Sequence, residues 1–253
     1  MGAFTRRTCA LLMGALFIAT PVQSETQTEN IVAEQRTSIG LRVSPAAAQA
    51  FLPAGWTSNA QATGPNLTVI FMDRKLALGP DGKPLQAGVN RVMVLAVAAR
   101  NGATGEARTL IVGGYSTDPL GVPGAYKVYG SGMVTLTRTE RSADASLATV
   151  VEEHWAARGG DGASVSLDLS FTRGVPAVSA FESRNYSGAE PDFYRIYRGQ
   201  QASEVLRNAT GINRVQSVRL QASGGKLGRA IDGTEQIVSI TSTPFYSRLT
   251  FLP

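Results

Sequence analysis

The fold is decided by residues 109–130, which read TLIVGGYSTDPLGVPGAYKVYG. An apolar run ending at Val112 leads into a double glycine, a loop with two prolines, and a second strand-like run that carries Lys127. Glycine and proline at this density favour sharp changes of chain direction. The stretch therefore predicts a strand, a sharp corner and a second strand, and such a corner is either a plain connection or the wall of a binding site.

On both sides of this corner, short apolar and β-branched runs are separated by glycine, proline and asparagine. In residues 164–171 every second residue is apolar, which is the period of a half-buried strand. Strands are expected at residues 39–43, 67–72, 91–99, 107–112, 133–139, 147–155, 164–171, 177–186, 215–221 and 236–251.

These patterns predict a mainly β fold with a few short helices. One helix is expected at residues 46–52, because Ser44 precedes a proline at the first helical position, and another around residues 201–207. A long antiparallel sheet must protect its edges, so about ten strands indicate a closed or nearly closed antiparallel barrel.

The first residues have the pattern of a signal peptide. Arg6 and Arg7 precede an apolar segment, and small residues follow it up to Ser24. We therefore expect a signal peptide at residues 1–24, a flexible leader at 25–34, and a single domain at 35–253 in an exported, periplasmic or secreted protein. The apolar segment is shorter than the roughly 20 apolar residues that a transmembrane helix needs. An uncleaved anchor and a twin-arginine signal stay open.

Composition excludes several classes of site. Cys9 is the only cysteine and lies in the expected signal, so the mature chain has no disulfide, thiol nucleophile or cysteine-bound metal. Loss of Arg6 and Arg7 leaves 22 basic against 19 acidic residues, and the formal charge falls from +5 to about +3. This excess is spread along the chain and gives no reason to expect nucleic acid as a partner.

The order of these parts resembles the acetoacetate decarboxylase superfamily over nearly all of the mature chain. Residues 41–45 (LRVSP) through 51–56 (FLPAGW) are similar to the family's early strand, short helix and proline motif. Residues 110–113 (LIVG) followed by 121–123 (GVP) resemble the strand and loop that carry the family's Gly-x-Pro-Lys-Lys motif. Residues 171–176 (FTRGVP) are similar to a later hairpin with Gly-x-Pro at its turn.

The chain departs from the family at its reactive lysines. The resemblance implies that decarboxylases of this family form a Schiff base on the second lysine of the motif, which the first lysine activates. Here Gly124 and Ala125 follow Pro123, and neither can form an imine. Lys127 is two residues further on and would share the face of Ala125 in an extended strand, roughly 7 Å along it.

Four residues are the candidates for ligand binding. Lys127 is a rim lysine, a cation for a ligand carboxylate, or an imine-forming catalytic amine. Arg36 lies near the position of the family's substrate-facing arginine, and Tyr115 and Tyr129 complete a pocket suited to a small organic acid or an apolar oxygenated ligand. No cofactor is expected, and His154 alone gives no metal site. Three acids are available without a reason to choose among them, namely Asp73, Asp118 and Glu182.

Three hypotheses follow. The first is an exported small-molecule-binding protein of acetoacetate decarboxylase-like fold without the family's decarboxylation. The second is a lyase, a decarboxylase or aldolase-like enzyme that acts on a small keto acid through Lys127. The third is a structural or interaction protein with a filled barrel. The sequence does not decide whether the protein is an enzyme, and it leaves the oligomeric state open.

Overall fold

The computed structural model describes residues 28–59, 62–85, 88, 90–142 and 148–253, and in these ranges the fold is mainly β, as expected. The strands are β1 (Thr28–Arg42), β2 (Trp56–Ser58), β3 (Leu67–Leu78), β4 (Asn90–Asn101), β5 (Ala107–Ser116), β6 (Gly130–Ser142), β7 (Thr149–Gly159), β8 (Ser164–Thr172), β9 (Ala177–Ser187), β10 (Tyr194–Arg207), β11 (Val215–Ser223) and β12 (Gln236–Phe251). The helices are α1 (Pro45–Gln49), α2 (Gly225–Ala230) and a 3₁₀ helix (Pro119–Gly121). No helix among the described residues has the length and apolar character to cross a membrane.

The strands form one mixed sheet in which seven strands pair in a ring. The spatial order is β11-β8-β7-β6-β5-β9-β10-β12-β1-β3-β4-β2, and β4 also pairs with β5. The pairings β5-β9-β10-β12-β1-β3-β4-β5 therefore return to their starting strand. The sheet is mixed because β5 pairs in parallel with β9, through Leu110 and Ile111, and with β6, through Tyr115 and Ser116. The expected antiparallel arrangement holds for the other pairings.

The branch β6-β7-β8-β11 packs against the ring, so β3 and β4 are buried on both faces. On one face Phe71 stacks on Trp155 of β7, with ring centroids 5.3 Å apart, and Met93 and Leu95 join the same core. On the other face Val92 and Val94 belong to a second cluster. Burial of both faces explains the nearly continuous apolar run in residues 91–99, because neither face needs polar residues.

The corner differs from its expected geometry. β5 runs through the double glycine to Ser116. Gly114 has a φ of 147°, and a Cβ at this position would lie 2.1 Å from the Met93 carbonyl oxygen, so the strand needs glycine there. β6 begins only at Gly130, so Lys127 lies in a turn with a φ of 56° rather than in an extended strand. The backbone N–H of Lys127 donates to the carbonyl of Gly124 at 3.0 Å. Its side chain therefore does not follow the face of Ala125.

The prediction of a helix around residues 201–207 is wrong, because this segment forms the end of β10. β10 pairs with β9 on one side and β12 on the other, and these ladders override the weak helical preference of the sequence. A helix forms instead at α2, which follows β11. The expected helix after Ser44 is confirmed as α1, and the Ser44 hydroxyl accepts from the N–H of Ala47 at 3.2 Å.

β1 begins at Thr28, inside the stretch expected to be a leader. Residues 28–34 pair with β12, and residues 31–34 pair also with β3. Polar residues in this segment do not mean that it is loose. Glu34, for example, is buried in the sheet, where its carboxylate contacts arginine side chains. The expected signal peptide at residues 1–24 lies outside the described residues.

Candidate ligand-binding cavity

The ring encloses a cavity of about 380 Å³. All seven ring strands contribute residues to its lining, and the rest comes from the corner after β5 and from Leu85, which lies between β3 and β4. The apolar part of the wall comes mainly from β3, β4 and β5, through Ile70, Met72, Val92, Val94 and Ile111. This volume and mixed lining are typical of a site for a small organic molecule.

One wall of the cavity is a cluster of three arginines around a buried carboxylate. The Glu34 side chain is fully buried on β1. Its Oε1 accepts from Nε of Arg36 at 2.6 Å and lies 3.5 Å from Nη1 of Arg248, while its Oε2 accepts from Nε of Arg74 at 3.2 Å. Arg36, Arg74 and Arg248 all line the cavity, and the cluster carries a formal charge of two positive units after Glu34 is counted. We call these four residues the arginine cluster.

The arginine cluster keeps Glu34 ionised. Burial by itself would raise the pKa of this carboxyl, but the charges of Arg36, Arg248 and Arg74 outweigh burial and lower the pKa from 4.5 to about 2. Glu34 is thus a permanent anion over the physiological pH range, and it holds the three guanidinium groups together.

Aromatic rings position the arginines. The guanidinium carbon of Arg36 lies 3.3 Å from the ring centroid of Tyr246, and that of Arg248 lies 4.0 Å from the centroid of Tyr197. Tyr197 and Tyr246 also line the cavity. Stacking of this kind restricts the guanidinium planes and leaves their edges to donate hydrogen bonds.

Two buried tyrosines supply an additional donor. The hydroxyl oxygens of Tyr126 and Tyr197 lie 2.6 Å apart, and both residues line the cavity. Only one of their two protons can lie between the oxygens, and the other has no acceptor among the described residues. Burial and the neighbouring Tyr197 raise the pKa of Tyr126, so its hydroxyl stays protonated. The pair can therefore donate to an oxygen of a ligand.

The corner brings Gly124 and Ala125 into the lining. These are the positions where the family resemblance places reactive lysines. Gly124 has a φ of 68°, and an added Cβ would lie 2.6 Å from the ring of Tyr129, so no larger residue fits there without movement. Ala125 is the position at which a longer side chain could enter. No lysine lines the cavity in the part of the chain that the structure describes.

The structure does not bring the four candidate residues into one site. Arg36 lines the cavity, Lys127 and Tyr115 line a different depression between the corner and α2, and Tyr129 lies between the two and lines both. The Lys127 ammonium pairs with Glu190 at 2.6 Å, and its side chain is 58% exposed. The Tyr115 hydroxyl donates to Asp161 at 3.0 Å, and burial followed by this hydrogen bond raises the pKa of Tyr115 to about 12. Roles in ligand binding for all four stay predictions.

Sequence reasoning missed most of the cavity's polar groups. Arg195, Tyr197, Tyr246 and Arg248 were not singled out, although arginine and tyrosine recur two residues apart on β10 and again on β12. This i, i+2 spacing puts both side chains on one face of a strand, and it is the signal that could have identified them. Of the three acids that the sequence offered without a reason to choose, Asp118 lines the cavity.

The other two acids, and the histidine, lie outside the cavity lining. Asp73 pairs with Arg91 at 3.1 Å, and Glu182 pairs with Arg198 at 2.7 Å. His154 contacts Asp168 at 2.6 Å on an exposed surface. Among the described residues, no cluster of histidine and acids has the composition of a metal site.

Comparison with known proteins gives a likeness in structure only. Neither a family model nor a curated protein matches the sequence. An acetoacetate decarboxylase-like enzyme from Sphingomonas wittichii RW1 is similar with a TM-score of 0.55 and 14% identity, over 95% of this chain and 99% of that chain. The enduracididine biosynthesis enzyme MppR in complex with pyruvate gives a TM-score of 0.52 and 13% identity, over 96% of each chain. The chain therefore has the fold of the acetoacetate decarboxylase-like proteins.

Proposed function

We propose that this protein is exported and binds a small carboxylate in the ring cavity without forming a covalent bond to it. The observation that carries the proposal is the lining itself, which offers three clustered guanidinium groups and no lysine amine among the described residues. Arginine can bind a carboxylate through two parallel hydrogen bonds, so it is suited to hold such a group in one orientation. Decarboxylation through an imine would need a lysine amine in the lining to form the iminium that accepts the electron pair, and the described lining has no lysine.

The remaining lining suits the rest of such a ligand. The apolar wall can bury a short hydrocarbon or aromatic body, and the hydroxyl pair of Tyr126 and Tyr197 can donate to a further oxygen. MppR, which shares the fold, has been seen with pyruvate, a small carboxylate. That likeness supports the proposal only by analogy of fold, since function resides in the site.

Two other hypotheses have less support. An imine enzyme that uses Lys127 would need its ammonium in the cavity, but this group pairs with Glu190 at the surface. A ring filled by its own side chains would leave no space of about 380 Å³.

Loss of one cavity arginine should weaken carboxylate binding. We expect isothermal titration to show that the wild-type protein binds benzoate and not its neutral analogue benzamide. Arg36→Gln should lower the affinity for benzoate by about 10- to 100-fold, because a charge-assisted hydrogen bond contributes roughly 1.5–3 kcal/mol.

Arg141→Gln is the matched control, because Arg141 is 73% exposed and pairs only with Glu152 at the surface among the described residues. It should leave benzoate affinity within about twofold of the wild-type value. If benzoate, butyrate, pyruvate and the dicarboxylate malonate all fail to bind the wild-type protein, or if those that bind do so equally well in Arg36→Gln, the proposed function is wrong.

Export predicts a defined mature end. Expression of the full chain in a Gram-negative host should place the protein in the periplasmic fraction with Glu25 as its first residue, because small residues precede this position. Mass spectrometry of the purified protein checks the cleavage site. Replacement of Arg6 and Arg7 by glutamate should retain the precursor in the cytoplasm. An uncleaved chain in the cytoplasm of the wild-type strain would contradict export.

A further inference from the structure

The charge of the arginine cluster indicates how many negative charges its ligand carries, as well as that the ligand is an anion. Its three arginine side chains are only 6% to 20% exposed, and a single carboxylate, that of Glu34, lies among them. Two positive charges therefore remain without a partner in the cluster. Unbalanced charge in a poorly solvated site is costly, and an anion that enters the cavity relieves it.

The other charged groups of the cavity do not provide this balance. Arg195 forms an ion pair with Glu29, which makes that part of the wall formally neutral. Asp118 lies in the corner, where its carboxylate accepts from the backbone N–H of Leu120 at 3.0 Å as the cap of the 3₁₀ helix. Among the described residues Asp118 forms no ion pair with Arg36, Arg74 or Arg248, so no direct contact balances the two excess charges of the cluster.

The excess is also concentrated in space. All three guanidinium groups contact the same carboxylate, with nitrogen to oxygen distances of at most 3.5 Å. A ligand that satisfies them must present its charges within a similarly small region.

We propose that the ligand carries two negative charges close together, as a phosphate monoester or a short dicarboxylate does. This inference rests on the anion site of the proposed function and changes its ligand from any small carboxylate to a compact dianion. A monoanion leaves one positive charge of the cluster uncompensated, whereas a dianion neutralises the cluster. The apolar wall and the tyrosines then bury the body of the ligand.

The test compares probes that differ in one charge. At pH 8 and fixed ionic strength, calorimetry would give the dissociation constants of malonate and its monoamide malonamate, and of phenyl phosphate and its monoanionic ester methyl phenyl phosphate. We expect at least one dianion to bind about tenfold or more tightly than its monoanionic partner. The pair that shows the larger ratio identifies the head group.

Arg74→Gln removes one charge of the excess and should reduce this ratio to within about threefold. Arg141→Gln should preserve it. The wild-type protein gives a second measurement that needs no variant. Affinity for phenyl phosphate should fall severalfold or more between pH 8 and pH 5, because the dianion takes up one proton near pH 6 and becomes a monoanion, while affinity for the methyl ester stays constant.

The outcomes separate this inference from the proposed function. If each monoanion binds as tightly as its dianion, the inference is overturned and carboxylate binding stands. If no probe binds, and benzoate, butyrate and pyruvate also fail, both are overturned.

Discussion

Ala125→Lys is expected to convert the protein into one that forms an imine with pyruvate. Ala125 lines the cavity, and Gly124 beside it cannot accept a side chain, so Ala125 is the position where an amine can enter. The arginine cluster would lower the pKa of the introduced amine by repulsion between like charges, and an unprotonated amine is the nucleophile. The amine attacks the keto carbon, water leaves, and borohydride reduces the resulting C=N bond to a stable secondary amine.

The measurement is the intact mass after treatment with pyruvate and borohydride. We expect a stoichiometric adduct on Ala125→Lys, mapped to residue 125, and none on the wild-type protein. Ala125→Met is the matched control, because it fills similar space without an amine. The same adduct on wild-type protein, lost in Lys127→Met, would instead support the Lys127 imine enzyme. A variant that still binds pyruvate but gives no adduct would contradict the placement of residue 125 in the cavity.

Much of the sheet could be predicted because alternation along a strand reports burial directly. In β8, Val165, Leu167, Leu169 and Phe171 recur at every second position, and all four are buried against the ring. In β10, polar residues in the middle of the segment interrupt the alternation of apolar and polar residues. Hydrogen bonding to β9 and β12 is what makes this segment a strand. Those pairings join distant parts of the chain, so a local pattern cannot contain them.

The site was harder to predict than the sheet. An arginine such as Arg248 on an alternating strand has the appearance of a surface residue until the ring closes over its face. Periodicity shows that Tyr246 and Arg248 share a face, but it does not show that this face is the inner one. The resemblance drew attention to Gly124 and Ala125, while the role of Glu34 depends on three strands that meet in space.

Lys127 shows the same limit at a single residue. The expected extended strand would have placed its side chain beside Ala125, and the backbone bends at Gly124 instead. A φ of 56° at a residue other than glycine or asparagine is uncommon, so sequence rules do not anticipate it. This turn directs the ammonium toward Glu190.

Glu34→Gln is expected to cause a large loss of stability. The substitution leaves the buried guanidinium of Arg248 and the half-buried ones of Arg36 and Arg74 without their shared anion. Removal of one partner from a buried ion pair costs roughly 3–5 kcal/mol. For a domain of this size that loss lowers the melting temperature by roughly 10 °C. Urea denaturation followed by circular dichroism measures the change in unfolding free energy. Glu182→Gln, which affects an exposed pair with Arg198, should change it by less than about 1 kcal/mol.

The loss should depend on pH with a defined sign. The pKa of Glu34 is about 2 in the folded protein and near 4.5 when exposed, so its carboxylate stabilises the fold fully above about pH 4.5. This contribution is lost as the pH falls from about 4.5 toward 2. The difference in stability between the wild-type protein and Glu34→Gln should therefore shrink by about 3 kcal/mol over that window. A difference that stays constant down to pH 2 would contradict the assigned role of Glu34.

A double-mutant cycle separates the charge of Glu34 from its size. If the penalty of Glu34→Gln arises from uncompensated arginines, removal of one of them should recover part of the stability. We therefore expect Glu34→Gln with Arg74→Gln to be more stable than the sum of the two single changes predicts, by roughly 1–3 kcal/mol. With Arg141→Gln in place of Arg74→Gln, the two changes in stability should simply add. Arg141 is exposed and pairs with Glu152 at the surface, outside the arginine cluster. Additivity in both cycles would mean that Glu34 stabilises the fold by packing and not by its charge.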